Sequence, residues 1–83
     1  MLLDELRQAE KRSVGVKQAE KAVLKNNAVK VYVAEDAEPR VTLKLVALCE
    51  EHGVELVRID SMNELGRACG IHVKSAAAAI LKN

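Results

Sequence analysis

The chain has 83 residues, enough for one domain and one core, because chains this short bury only about 60% of the surface they expose when unfolded; a second domain is excluded. Its 49% apolar and 30% charged residues make it too apolar to stay disordered, and its longest strongly apolar stretch, Ala76 to Leu81, falls far below the roughly 20 residues of a membrane-spanning helix. The net charge of +1 hides an uneven distribution: residues 11–30 hold Lys11, Arg12, Lys17, Lys21, Lys25 and Lys30 against Glu20 alone, whereas acids outnumber bases from 31 to 66, a pattern that suits a local anionic partner better than a general coating of nucleic acid.

Leu2, Leu3, Leu6 and Ala9 recur at helical intervals and predict a short amphipathic helix, broken by Ser13-Val14-Gly15. The start, MLLDELRQAEK, has acids and no basic segment ahead of an apolar run, so no secretion signal is expected and a cytoplasmic location is. From Val16 to about Lys25 the stripe Ala19, Ala22, Val23 marks a second helix, with Asn26-Asn27 suited to a left-handed C-cap. Val29 to Ala34 alternates with period two and is β-branched, which predicts a strand.

Asp36-Ala37-Glu38-Pro39 reads as a turn into a third helix, since proline suits the first helical position and acids suit the positive end of the dipole. Val41, Leu45, Leu48 and Cys49 are its expected buried stripe, and Gly53 its stop. A strand is expected over Glu55 to Ile59. Ser61-Met62-Asn63-Glu64 matches a capping box and opens a short helix to about Cys69. After Gly70 comes a loop, Ile71 to Lys74, and then Ser75 to Leu81, whose alanines suit either a helix or a closely packed central strand, of which the strand is favoured. Alternation of helical and extended segments argues for an α/β layered domain with helices on both faces of a small sheet.

Cys49 and Cys69 lack a CxxC partner, and His52 and His72 are the only histidines; both thiols are expected in the core and no metal site is expected. Neither G-x-S-x-G, nor a P-loop, nor G-x-G-x-x-G occurs, so catalysis is not expected, and no cofactor is. Tyr32 is the single aromatic residue, which excludes an aromatic stacking sheet of the RRM type.

Lys17, Lys21 and Lys25 are four apart, and like charges at that spacing on a helix cost on the order of 0.2–0.5 kcal/mol per pair, so stability does not explain them. They form either a solvated face or an edge that tracks phosphates. Gly15 just ahead of that helix allows close approach of another backbone, free N–H groups of a first turn attract an anion, and the Gln18 amide can both donate to and accept from base edges. Ile71 and Val73 flank His72 in a glycine-led loop. They tuck inward in the ordinary case, and make a platform for an unstacked RNA base if they point outward.

GVKQAEKAVLKN at Gly15 to Asn26, VYVAEDAEP at Tyr32 to Pro39 and ELGRACGIHV at Glu64 to Val73, in that order and spacing, resemble the kink-turn-binding ribosomal protein family that includes archaeal L-seven-Ae and the large-subunit protein thirty-e, and most of all its short bacterial members of the YbxF type. The resemblance spans nearly the whole chain. It implies one domain over residues 1–83, a three-layer α-β-α sandwich on a small mixed four-stranded sheet, monomeric, that binds ribosomal or structured regulatory RNA at a kink-turn and can associate with the ribosome. It implies that Gly15, Val16, Lys17 and Gln18 enter the groove beside tandem sheared G·A pairs, that Lys21 and Lys25 contact phosphates or guanine edges, and that Ile71, His72 and Val73 cover the flipped-out base. Archaeal members usually carry Asn-Glu where this chain has Lys17-Gln18, whereas the thirty-e branch and the bacterial members look similar to it here; the chain also has His72 where many relatives carry glutamate, and Asn26 for the usual glycine. The competing expectation is a protein-interaction module that uses an acidic surface at Glu35, Asp36, Glu50 and Glu51.

Overall fold

The computed structural model describes residues 2–83. In chain order the elements are α1 (Asp4–Gln8), β1 (Arg12–Val14), α2 (Val16–Leu24), β2 (Ala28–Ala34), α3 (Pro39–His52), β3 (Glu55–Ile59), α4 (Met62–Ala68) and β4 (Ala77–Leu81). The strands form one mixed sheet in the order β1-β4-β2-β3. β4 runs antiparallel to both β1 and β2, whereas β2 and β3 are parallel. A parallel pair needs a long crossover, and α3 supplies it.

Alternation along the two central strands separates two cores. Val31 and Val33 of β2 and Ala77 and Ala79 of β4 join Ala19, Ala22 and Val23 of α2 and Leu45 and Cys49 of α3. Tyr32, Ala34, Ala78 and Ile80 join Leu3 and Leu6 from the first segment and Leu65, Ala68 and Cys69 from the α4 region. The result is the expected three-layer α-β-α sandwich, α2 and α3 on one face and α1 and α4 on the other. The alanines of β4 let helices approach the sheet closely from both sides, and Ala77, Ala78 and Ala79 have no exposed surface.

The chain differs locally from its sequence pattern. In place of the expected break at Ser13-Val14-Gly15, Arg12–Val14 adds an edge strand to β4; three residues are too few for a period to show. α1 starts only at Asp4, leaving Leu2 65% exposed. Val41 is 45% exposed, and Thr42 occupies the first buried turn of α3 instead. β2 begins one residue early, at Ala28, and a register shift between Ala28 and Lys30 turns Val29 out of the core. At α4 the serine half of the capping box forms, Ser61 Oγ accepting from the Glu64 amide at 3.0 Å.

Asp36 does not cap α3, as its place before Pro39 suggested. Its Oδ1 accepts from the Met62 amide at 2.8 Å, in the first turn of α4, and α3 has no side-chain cap at all.

Cys49 and Cys69 are buried free thiols in different cores, on opposite sides of the sheet, which agrees with the expectation that they are core residues. Burial pushes both thiols up, the Arg12 guanidinium partly offsetting this at Cys69, and burial also raises the Tyr32 phenol. An unfolded chain therefore loses these protons at lower pH than the folded one. Stability is full at neutral pH and falls once pH passes the unfolded values, about 8.5 for a thiol and about 10 for a phenol. Melting temperatures are expected to plateau from neutral pH and decline above about pH 9. In the double variant Cys49→Ala, Cys69→Ala the onset should move up to the phenol range; an unshifted onset would show that the thiols do not drive it.

Candidate nucleic-acid interface

Four chain segments meet at one end of the sheet. Gly15 N donates to the Ala77 carbonyl (2.8 Å), Ala34 N to Ala76 (2.9 Å) and Glu35 N to Ile59 (2.7 Å). These bonds place the start of α2, the turn after β2, the exit of β3 and the segment entering β4 side by side.

α2 begins with Gly15 as N-cap at φ 105° and ψ 154°, a conformation that side-chain-bearing residues rarely adopt. A Cβ there would meet nothing within 4 Å, so backbone geometry and not crowding calls for glycine, and space in front of the helix is open. The first-turn N–H groups at Val16, Lys17 and Gln18 have no intrahelical acceptor, no side chain caps them, and that turn contains no acid. The positive end of the dipole is thus left available to an anion. Val16 is half-buried and packs on the α2/α3-side core, while Lys17 and Gln18 are exposed.

The Lys25 amide bonds the Lys21 carbonyl at 3.0 Å, which extends the helical path far enough to stack Lys17, Lys21 and Lys25 on one edge, about 12 Å long at 1.5 Å per residue. All three are exposed, and among the described residues none makes an ion pair. Two other cations of the basic segment are engaged elsewhere. The Lys30 ammonium holds Glu5 at 2.6 Å and Glu55 at 3.7 Å, and the hydrogen bond to Glu5 is the main reason that its pKa is raised. Arg12 reaches the carbonyls of Leu6, Arg7 and Cys69, each at 3.2 Å.

The loop after α4 is pinned at both ends: the Ile71 amide bonds the Gly66 carbonyl and the Ser75 amide bonds Met62, both at 3.1 Å, while the Ser75 hydroxyl donates to the Ala77 carbonyl at 2.7 Å. Within it the structure separates the two branched residues. Ile71 is half-buried against the α1/α4-side core, whereas His72 is exposed and Val73 is 68% exposed. Of the two branched residues, Val73 alone presents most of its apolar surface to solvent.

Sequence reasoning missed two residues that shape this region. Gly66 lies inside α4, and a Cβ on it would stand 2.1 Å from the Val73 carbonyl oxygen; its signal was present, as glycine within a helix costs about 1 kcal/mol relative to alanine and asks for a packing reason. Arg12 gave no such signal, since its acceptors are backbone carbonyls, which carry no side-chain pattern, and one of them, at Cys69, is far along the chain.

The acidic residues of the competing expectation are all exposed and lie toward the two ends of α3. Glu35 and Asp36 precede α3, while Glu50 and Glu51 lie in its last turn, about 16 Å along the axis at 1.5 Å per residue, and Asp36 is already bonded to α4.

The model of the Ribosomal protein L7Ae/L30e/S12e/Gadd45 family matches residues 2–83. An "RNA-binding protein" from Caldanaerobacter subterraneus is 54% identical over 69 residues, covering 83% of this chain and 84% of that one. "RNA-binding protein YbxF" from Geobacillus stearothermophilus is 40% identical over 82 residues, 99% of this chain and 100% of the other. Among solved structures, a Giardia lamblia 15.5kD RNA binding protein superposes with a TM-score of 0.89 at 38% identity, covering 99% of this chain and 72% of that chain. With the family model, the bacterial relatives and the solved structure in agreement, this chain belongs to the ribosomal protein L7Ae/L30e/S12e/Gadd45 family.

Proposed function

We propose that this chain is a cytoplasmic, monomeric, single-domain RNA-binding protein that recognises and stabilises kink-turns in ribosomal or structured regulatory RNA. One observation carries the reading: an uncapped, acid-free helix start with a free lysine edge opens at the same sheet end as an exposed valine loop. RNA-binding relatives of nearly the same length support it.

In this reading Gly15 brings the α2 backbone against the widened groove of the kink, where the N–H groups of Val16, Lys17 and Gln18 and the Gln18 amide meet acceptors on base edges or phosphates. Lys17, Lys21 and Lys25 follow the backbone. Val73 and His72 cover an unstacked base, with Ile71 as their floor. Because these elements are held by the sheet, they fit one bend of the RNA and shift its equilibrium toward that bend by their differential affinity.

The test compares one RNA able to kink with a straight duplex of equal length. Gln18→Ala is expected to remove the preference for the kinked RNA, whereas Lys25→Ala weakens both RNAs alike, since phosphate contacts carry no shape or sequence information of their own. Three phosphate contacts predict a loss of affinity on the order of tens-fold between about 50 and about 200 mM salt. Equal losses from the two substitutions would remove Gln18 from base reading, and wild-type protein that treats both RNAs alike would end the proposal.

A further inference from the structure

The Arg12 side chain joins parts of the molecule that are distant in sequence. From the first position of β1 its Nη1 donates to the Leu6 and Arg7 carbonyls in the last turn of α1, and its Nη2 donates to the carbonyl of Cys69, the C-cap of α4. One planar cation thus satisfies the carbonyl ends of two helices, where a positive charge is most favourable. Gly70, the first residue of the exposed loop, has φ 76°, and a Cβ on it would lie 3.6 Å from Arg12 Nη2. In the other direction, β1 leads three residues later into Gly15, the N-cap of α2.

From this geometry we infer that Arg12 is a positioning residue for RNA selectivity: it locks the start of the Gly70–Val73 loop to the strand that launches α2, so that the two halves of the interface keep one spacing. The inference rests on the RNA-binding reading for its consequence but not for its structural part. Lysine cannot substitute, since a single ammonium on a flexible stem does not present a rigid fork to carbonyls on two helices. The same fork holds α1 against the sheet, so α1 acts as a brace for the loop, and the loop is fixed at Cys69 by Arg12 and at Ile71 by Gly66.

Two variants and one control decide it. Arg12→Lys keeps the charge and loses the fork, Arg12→Leu loses both, and Lys30→Met breaks the ion pairs to Glu5 and Glu55 on the same side of the sheet without touching the loop. Amide hydrogen exchange in the free protein is expected to speed up about tenfold or more at Gly70 and Ile71, whose amides bond the Arg67 and Gly66 carbonyls, in both Arg12 variants and to stay unchanged there in Lys30→Met. With RNA, Arg12→Lys is expected to reduce the ratio of kinked to straight affinity about tenfold while binding straight duplex as the wild type does. Lys30→Met keeps the wild-type ratio even where its melting temperature falls, which separates positioning from general loss of stability. Wild-type exchange at Gly70 and Ile71 in Arg12→Lys and Arg12→Leu overturns the inference whatever the RNA result, and so does an equal loss on both RNAs. If the wild type shows no preference for kinked RNA, the functional reading fails instead, and the exchange data alone still decide whether Arg12 holds the loop.

Discussion

Reversing Lys21 and Lys25 together to glutamate is expected to lower affinity for kink-turn RNA on the order of a hundredfold or more at moderate salt, and to flatten its salt dependence. Both side chains are exposed and unpaired among the described residues, so the substitutions leave the core untouched. Along α2 the repulsion between positions 17 and 21 becomes an attraction, while positions 21 and 25 stay like-charged, each contact being worth on the order of 0.2–0.5 kcal/mol. An acid at the last turn gives back a similar amount against the helix dipole. The melting temperature should therefore stay near that of the wild type while RNA binding is lost, a combination that unfolding cannot produce. The measurement is a titration of labelled RNA at two salt concentrations beside a thermal melt. Retained affinity would mean that the lysine edge is a solvated face and that the site lies elsewhere.

Gly66→Ala is expected to damage both fold and binding. In an ordinary exposed helix this change stabilises by about 1 kcal/mol, through the helix preference of alanine. Here the new Cβ would stand 2.1 Å from the Val73 carbonyl oxygen, 3.2 Å from its carbon and 3.3 Å from Lys74 Cα. All three are backbone atoms, so the relief has to come from moving the loop or α4. Overpacking of this kind costs typically about 1–3 kcal/mol, more than the helix preference returns, and the displaced loop would take Val73 and His72 out of register with α2. Asn63→Ala, exposed in the same helix, is the matched control and should be neutral or stabilising. A Gly66→Ala protein that melts at or above the wild-type temperature, with its preference for kinked RNA intact, would show that the close packing of α4 on the loop is dispensable.

Much of the architecture could be read from the residues because burial imposes its period on them. Val31, Tyr32, Val33 and Ala34 are completely or almost completely buried and alternate between two cores, so the VYVA run announces a strand enclosed on both faces. The left-handed conformation of Gly53 and the Ser61 cap ended and began helices where local chemistry said they would. β1 was illegible because an edge strand of three half-buried residues owes its existence to β4, at the far end of the chain, and to no property of Arg-Ser-Val. Val41 misled for a related reason: a helix stripe has some 100° of freedom, and only the position of the sheet decided that Thr42 and not Val41 faces it. At the interface, the lysine edge and Gly15 are local features and were visible. The separation of Ile71 from Val73, the withdrawal of Lys30 and Arg12 from the basic face, and the use of Asp36 by α4 depend on long-range contacts.

The sheet order has a consequence for synthesis. Among the described residues β1 pairs with β4 alone, and β2 meets β4 along its whole inner edge, so a nascent chain can pair β2 with β3 but cannot close this sheet until Leu81 has left the ribosome. Gly15 and the loop at Val73 are tied to the same strand through Ala77 and Ser75. If the chain reads RNA bends as proposed, a partly made chain carries the lysine helix without the counterpart that would let it grip one bend, and selective binding is expected only once β4 has been made.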